Sequence, residues 1–299
     1  MSVVDEQQVL AAMRSRLGAA DAKLATLAQR GQSSTYRLTV GDRTWFVKWP
    51  DEMARMYPLL KAAGDCPYLP RSAFDAPVPL AGGFLSCVEW APSETVHPEM
   101  WTDAQLASFM AAYASFYAAI QNTPDVGAPE DDEASYAVVC DYVRRHPLAR
   151  LMLRPLLELT PEERTYRRGE RLQVTHGDLH SRNYGFNGQE FAFFYDIDNV
   201  LWGHAADDLA YTVLDRAQRR SVSGARFDRC VEILRRMVES FGGETREWRV
   251  AINRKRLRQA ASKVERRPDS LIPAVDIALR DRRAVRLMRS AGLLEGAVR

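Results

Sequence analysis

Cysteine is scarce in this chain, and the spacing of the few cysteines excludes two classes of protein. The 299 residues contain Cys66, Cys87, Cys140 and Cys230, with no C-x-x-C pair. That spacing fits neither a disulfide scaffold nor a zinc site, so free thiols in a reducing compartment are the simpler interpretation. The first ten residues carry acids where a signal peptide would carry bases before an apolar run. We therefore expect a cytoplasmic protein.

The sequence also lacks internal repeats, low-complexity segments and a convincing membrane span. Residues 104–123 contain no charged side chain, but they include Gln, Ser and Asn, and their large apolar residues recur at helical spacing. A spanning helix would be richer in Leu, Ile and Val and apolar all round. We interpret this stretch as a buried core helix and expect no membrane span.

The first third of the chain has the patterns of a small sheet. Residues 36–40 and 43–49 are short runs of aromatic and β-branched side chains, and Gly41 and Asp42 between them are a hairpin signal. Further strands are predicted at residues 24–30 and 83–90, and a short helix interrupted by Pro58 at residues 51–63.

From residue 102 onward the hydrophobic period changes to that of helices. Helices are predicted at residues 102–121, 134–146 and 147–159 and after residue 207, with short strands at 172–174 and 191–197. The expected fold is therefore α+β and two-lobed. Residues 1–90 would form a small antiparallel-sheet lobe that binds nucleotide, and residues 91–299 a larger, mainly helical lobe.

The segment 176–183 (HGDLHSRN), followed by Asp196, has the residues that phosphoryl transfer needs. Such transfer depends on positioning and charge neutralisation more than on covalent chemistry. Asp178 can accept the proton of an attacking hydroxyl or orient that hydroxyl. Asn183 and Asp196 supply hard oxygen ligands for Mg²⁺, and Asp198 adds a second carboxylate. An isolated H-x-D indicates only a solvated turn, but the full pattern is far more restrictive.

The segments VTHGDLHSRN, FFYDIDNV and GHAADDLAY together resemble the aminoglycoside phosphotransferase and choline kinase family, whose fold is similar to that of protein kinases. The resemblance implies a protein-kinase-like fold, with ATP or GTP as the phosphoryl donor and Mg²⁺ as cofactor. It implies that Asp178 is the catalytic base and that Asn183 and Asp196 are metal ligands. It also implies that His176 braces the loop and that Asp208 supports it through hydrogen bonds.

A kinase also requires a lysine on its third strand, and Lys48 lies in the alternating run WFVKW. An isolated strand lysine would be expected to extend into solvent. Its position after a hairpin and well ahead of the loop instead favours contact with nucleotide phosphates. Glu52 is the candidate acidic partner of Lys48.

Two backbone segments are candidates for nucleotide contacts. The turn at residues 31–35 contains Ser33 and Ser34, whose N–H and hydroxyl groups can hold phosphate, although a polar hairpin loop is an equally good interpretation. The hinge, from Glu89 to Ala91, is expected to contact adenine through backbone groups.

Positive charge is concentrated near the end of the chain, where residues 244–299 carry 15 Lys and Arg against 7 Asp and Glu. Such clusters can bind nucleic acid or anionic membranes. Interspersed acids and apolar residues at helical spacing favour solvated faces of packed helices instead. We therefore expect no nucleic-acid partner.

A polycationic acceptor such as an aminoglycoside would need carboxylates near Asp178. Residues 130–133 (EDDE), Asp207 and Glu239 are candidates, but an acidic loop is more often simply solvated. The expected activity is therefore transfer of the γ-phosphate of ATP, or of GTP, to a small hydroxylated acceptor. The alternatives are a pseudokinase-type binding module and a kinase that acts on a protein or a lipid-linked sugar. The oligomeric state is not predicted.

Overall fold

The structure is a computed structural model that describes residues 5–30, 33–49, 56–90, 93–124, 126, 132–166, 170, 172–197 and 200–294. The strands are β1 Lys23–Arg30, β2 Ser33–Val40, β3 Arg43–Trp49, β4 Val78–Leu80, β5 Gly83–Glu89, β6 Gln173–Thr175, β7 Tyr184–Asn187, β8 Glu190–Phe194 and β9 Leu201–Gly203. The helices are α1 Glu6–Leu17, α2 Met56–Ala63, α3 Asp103–Ala119, α4 Asp132–Arg145, α5 Pro147–Leu157, α6 Pro161–Arg164, α7 Ala205–Ala217, α8 Ala225–Phe241, α9 Thr245–Arg266 and α10 Ile272–Ser290.

The first lobe is an antiparallel sheet in the order β1-β2-β3-β5-β4. Strands β2 and β3 pair from Val40 and Arg43 at the turn to Ser34 and Trp49 at the far end. Gly41 has a φ of 55°, a left-handed conformation that glycine adopts without steric cost. The predicted hairpin is confirmed. With the helical region that follows, so is the α+β kinase-like fold class, whereas the division of domains at residue 90 stays a prediction.

Residues 33–35 of the predicted loop at 31–35 lie in a strand instead. Strands β1 and β2 pair as far as Arg30 with Ser33 and Gln29 with Ser34. Ser33 and Ser34 therefore lie in strand β2 and not in a loop, because cross-strand pairing continues to the end of the hairpin. Residues 31 and 32 lie outside the described part of the chain.

Helix α3 lies at the centre of the second lobe. Phe109, Tyr113 and Phe116 have no exposed surface, and the Phe116 ring lies 4.6 Å from that of Phe194 on β8. Aromatic pairs of this kind contribute roughly 0.5–1.5 kcal/mol beyond burial of their area. The prediction of a buried core helix is confirmed. In the described ranges, no helix is both long and apolar enough to cross a membrane.

The β7–β8 hairpin is joined to the segment that follows the sheet. Glu94 and Phe186 exchange two backbone hydrogen bonds of 2.8 and 2.9 Å, and the Ser93 and Tyr195 hydroxyls are 2.6 Å apart. Only glycine fits at Gly185, since a Cβ there would lie 2.0 Å from the Ser93 Oγ. The connection between the lobes is therefore fixed to the hairpin.

The basic segment agrees only in part with the prediction of solvated helix faces: Arg266, Arg267, Arg282, Arg286 and Arg289 are exposed, whereas two arginines are buried. Arg254 and Arg256 on α9 are 1% and 5% exposed. Arg254 pairs with Asp132 and Asp207, and Arg256 pairs with Asp281 at 2.7 Å. Because buried charges require partners, these arginines point into the lobe and hold α4, α7 and α10 against α9.

Candidate active site

Asp208 on α7 fixes the start of the loop that contains the HGDLHSRN motif. Its two carboxylate oxygens accept the backbone N–H groups of His176 at 2.7 Å and Gly177 at 2.9 Å, and the Tyr113 hydroxyl donates to it at 3.0 Å. Burial raises the pKa of Asp208, while these three donors stabilise its ionised form. The hydrogen-bonding role that the family resemblance implied for Asp208 agrees with this geometry.

The loop turns back on itself around Asp178. The His176 Nε2 lies 2.8 Å from the Tyr195 carbonyl oxygen, and the Asn183 amide nitrogen donates to the Asp178 carbonyl at 2.9 Å. Thr212 on α7 donates to the Leu179 carbonyl at 3.1 Å. The backbone of Asp178 is therefore fixed, while its side chain stays 34% exposed and accessible to a ligand.

Asn183 and Asp196 lie together at the open end of the β7–β8 hairpin. Asn183 directly precedes β7, and the Tyr195 N–H donates to its carbonyl oxygen at 2.7 Å. Asp196 follows with a φ of 53°, an uncommon left-handed conformation for a residue with a Cβ. The structure brings the two predicted metal ligands to one place. Asp198 lies outside the described residues.

Lys48 reaches from the sheet to this hairpin. It lies on β3 between Thr35 and Ser86 of the neighbouring strands, and its Nζ is 3.4 Å from the Asp196 Oδ1. The contact joins the two lobes. Glu52, the predicted acidic partner of Lys48, lies outside the described residues.

Lys255 on α9 is a part of this site that sequence reasoning missed. Its Nζ lies 3.5 Å from the Asp178 Oδ1 and 3.4 Å from the centre of the Tyr211 ring. On the other side, the His180 Nε2 lies 3.5 Å from the Asp178 Oδ2. Burial lowers the pKa of Lys255 and of His180. No spacing rule connects Lys255 to the loop, because it comes from a helix far along the chain.

Two backbone N–H groups of the hinge are already hydrogen-bonded within the protein. The N–H of Glu89 donates to the Arg71 carbonyl at 2.8 Å, and the N–H of Trp90 donates to the Thr44 carbonyl at 2.9 Å. Ala91 lies outside the described residues. Beside the hinge is an open cavity of about 940 Å³, whose lining includes Arg37, Thr44, Trp45, Arg71, Glu89 and Trp90.

Three of the acids that were candidates for binding a cationic acceptor already have basic partners. Arg164 forms two hydrogen bonds of 2.9 and 3.0 Å with Glu133. Arg254 pairs with Asp132 and, at 3.0 Å, with Asp207. These carboxylates hold the helical lobe together and do not supply unpaired negative charge.

The sheet, the connecting segment and the loop that carries Asp178 define a protein-kinase-like fold. The sequence pattern of the phosphotransferase enzyme family matches residues 24–248, and the chain belongs to that family. No curated protein sequence matches the chain significantly.

Several solved structures share this fold. A thermostable mutant of the aminoglycoside phosphotransferase APH(4)-Ia, in a complex with ADP and hygromycin B, is 13% identical with a TM-score of 0.63, over 95% of this chain and 98% of that chain. An aminoglycoside phosphotransferase from Alicyclobacillus acidocaldarius is 14% identical with a TM-score of 0.63, over 98% of both chains. Spectinomycin phosphotransferase APH(9)-Ia, in a complex with ADP and spectinomycin, is 12% identical with a TM-score of 0.59, over 98% and 100%. At these identities the likeness shows the fold alone.

Proposed function

We propose that this protein is an ATP- and Mg²⁺-dependent O-phosphotransferase that acts on a small hydroxylated compound. The observation that carries the proposal is the convergence of four residues from three parts of the chain. Lys48 from the sheet meets Asp196 at 3.4 Å, while Asn183, beside Asp196, is hydrogen-bonded to the backbone of Asp178. The ADP complexes of the relatives with the same fold support a nucleotide as the donor.

In the proposed reaction, Asp178 positions the acceptor hydroxyl and takes its proton. The hydroxyl oxygen forms a bond to the γ-phosphorus, and the bond between that phosphorus and the β,γ-bridging oxygen breaks. ADP leaves with the electron pair of the broken bond. Because the protein supplies positioning and charge in such a transfer, the fixed backbone and accessible carboxylate of Asp178 suit this role.

The side chains at the hairpin end fit a magnesium ion. The Asn183 amide nitrogen is already engaged by the Asp178 carbonyl, which leaves its amide oxygen to act as a ligand beside the Asp196 carboxylate. Both are the hard oxygen donors that Mg²⁺ prefers. Asp198 is proposed as an additional carboxylate. When bound, Mg²⁺ would neutralise phosphate charge.

The donor would be held from the sheet side. Lys48 would exchange its contact with Asp196 for the nucleotide phosphates, as a mobile point charge can. Ser33 and Ser34, at the end of the β1–β2 hairpin, would add donors above the phosphates. Glu89 and Ala91 would contact the base through backbone groups, with ATP as the proposed donor and GTP as the alternative.

The charges around Asp178 favour a neutral or anionic acceptor over a polycation. The nearby acids on α4 and α7 are paired with arginines, and Lys255 lies against Asp178. Glu239 is exposed on α8 but has no contact that connects it with this site. Among the described residues, a polycation would meet the charge of Lys255 here, and the acids on α4 are already paired. Glu130 and Asp131 lie outside the described part of the chain.

The test combines nucleotide titration with an acceptor screen. ATP and GTP are titrated with and without Mg²⁺, and ADP or GDP release is then followed with aminoglycosides, choline-like amino alcohols, neutral sugars and sugar acids. We expect Mg²⁺-dependent binding and turnover with a neutral or anionic hydroxyl compound. Nucleotide binding with no turnover across all acceptor classes would favour the binding module instead.

A further inference from the structure

We propose that Lys255 is a positioning residue of the phosphoryl-transfer centre: its ammonium group orients the Asp178 carboxylate and supplies positive charge on the acceptor side. The inference rests on the proposed function. It adds to that function a second lysine, opposite Lys48, at a position where neither the motif nor the family match assigns a role.

The contact between Lys255 and Asp178 guides the carboxylate without saturating it. The Lys255 Nζ and the His180 Nε2 lie on different carboxylate oxygens, each at 3.5 Å. Charge-assisted hydrogen bonds are typically about 2.7–2.9 Å long, so both contacts are looser than such bonds. A carboxylate has about four acceptor sites on its two oxygens. Asp178 therefore keeps capacity for a hydroxyl while its orientation is limited from two sides.

The position of Lys255 is set by its surroundings. Its side chain is 16% exposed, and its ammonium group lies 3.4 Å from the centre of the Tyr211 ring, where cation–π attraction supports a charged lysine. The adjacent residues Arg254 and Arg256 are locked in buried ion pairs. The turn of α9 that carries Lys255 is thus fixed on both sides of it.

The cost of placing a lysine here argues for a use of its charge. Burial lowers the pKa of Lys255, because removing its ammonium group from water disfavours the charged form, and Asp178 is the largest of the charges that oppose this shift. An apolar side chain of similar length would fill the same space without that penalty. An ammonium group fixed beside the Asp178 carboxylate holds it in one orientation for the hydrogen bond of the attacking hydroxyl.

The experiment uses variants that separate the charge of Lys255 from its volume. Lys255→Met removes the charge at nearly the same length, and Lys255→Arg keeps it. Lys263→Met is the matched control, because Lys263 is on the same helix and forms an ion pair with Asp276, which makes no contact with Asp178. Thermal melting establishes that each variant is folded.

Two measurements need no identified acceptor. The first is the affinity for Mg-ADP by calorimetry and the increase in that affinity when aluminium fluoride is added as a mimic of the phosphoryl group in transfer. The second is the rate of Mg-ATP hydrolysis with water as acceptor, resolved into kcat and KM. For Lys255→Met we expect the aluminium fluoride increment and kcat to fall by at least about 10-fold, with Mg-ADP affinity and KM within about 3-fold. Lys255→Arg should recover most of the loss, and Lys263→Met should match the unmodified protein.

The outcomes distinguish the two levels of inference. If Lys255→Met keeps the increment and kcat, the positioning role is overturned while the proposed function stands. If Lys255→Met and Lys255→Arg lose Mg-ADP affinity and kcat equally, Lys255 is only structural, and the inference is again overturned. If the unmodified protein binds no Mg-ADP, or gains nothing from aluminium fluoride and hydrolyses no ATP, the proposed function fails and the inference fails with it.

Discussion

The two lysine–aspartate pairs at this site have nearly equal lengths but are built in different ways. Lys48 and Asp196 lie 3.4 Å apart, with side chains 28% and 46% exposed, and they join the sheet to the hairpin of the second lobe. Lys255 and Asp178 lie 3.5 Å apart, with side chains 16% and 34% exposed, and both belong to the helical lobe. The first pair therefore connects the two lobes, and the second lies within the helical lobe.

The difference in exposure indicates which of the two pairs can exchange its partner for a ligand. Solvent screens an exposed ion pair, so such a contact contributes little stability and is easily exchanged for a ligand. A pair in a less exposed place, next to buried arginines, keeps its geometry. We therefore infer that Lys48 binds the nucleotide when it arrives, whereas Lys255 orients the Asp178 carboxylate both before and after ligand binding.

Replacing the aspartate of each pair should give the largest effects and opposite phenotypes. We expect Asp178→Ala to lower turnover by roughly 10²–10⁴-fold, the usual contribution of a general base, with Mg-ATP affinity nearly unchanged. Asp196→Ala should instead abolish the Mg²⁺ dependence of ATP binding. Product release and calorimetry measure the two quantities. Near-normal turnover of Asp178→Ala would break the assignment of the two roles.

The rigidity attributed to the surroundings of Lys255 and Asp178 can be tested through the neighbouring Arg254. Arg254→Met leaves Asp207 without its arginine and Asp132 with Arg258 alone, and removal of one partner of a buried pair typically costs about 3–5 kcal/mol. The control is Arg154→Met, whose pair with Glu158 is 71% and 59% exposed and should leave the free energy of unfolding nearly unchanged. Urea denaturation measures both free energies of unfolding. Equal values for the two variants would contradict a structural role for the buried pair.

Replacing each of the two lysines should affect the affinity for Mg-ATP differently. Lys48→Met should weaken Mg-ATP binding about 10-fold, since one charge contact to phosphate is lost. Lys255→Met should change the same dissociation constant by less than about 3-fold, because it faces the acceptor side. Calorimetric titration of both variants gives the comparison. Equal weakening by the two substitutions would mean that both lysines contact the donor.

The smallest expected effect is on the pH dependence of stability. Burial depresses the pKa of Lys255 below its ordinary value of 10.5, so the folded chain binds fewer protons than the unfolded chain between the depressed pKa and 10.5. The contribution of Lys255 to stability therefore rises with pH through that window. Lys255→Met should remove this rise, and thermal melting from pH 7 to 10.5 for both proteins isolates it from other titrating groups. An unchanged difference between the proteins across the window would argue against the buried charge.

Local sequence patterns were enough to predict the residues of the Lys48–Asp196 pair and the loop that carries Asp178. The turn at Gly41, the alternating strand that carries Lys48, and the spacing from Asp178 to Asn183 are features of short segments. The chain also carried signals for α1 that were not used: Asp5 and Gln8 form a capping box at its start, and Gly18 ends it in a left-handed conformation. Helix α1 is therefore also predictable from its local sequence.

The Lys255–Asp178 pair depends on contacts between distant segments. Lys255 belongs to a basic run whose composition indicated a solvated helix, and only the packing of α9 against α7 turns it toward Asp178. The acids at 132 and 133 likewise read as a solvated loop, whereas their partners Arg164 and Arg254 come from α6 and α9. Charge counts along a sequence do not reveal which charges are paired in space, so the acceptor could not be deduced from them.

The contact between Lys48 and Asp196 has a further consequence, because it is held from both sides. Glu94 and Phe186 fasten the connecting segment to the hairpin that ends at Asp196, so any tilt of the sheet relative to that hairpin must change the separation of the lysine and the aspartate. The distance between Lys48 and Asp196 therefore measures how far the sheet has moved towards the hairpin. A pair of spin labels placed on β3 and on the β7–β8 hairpin would read it at each stage of ligand binding.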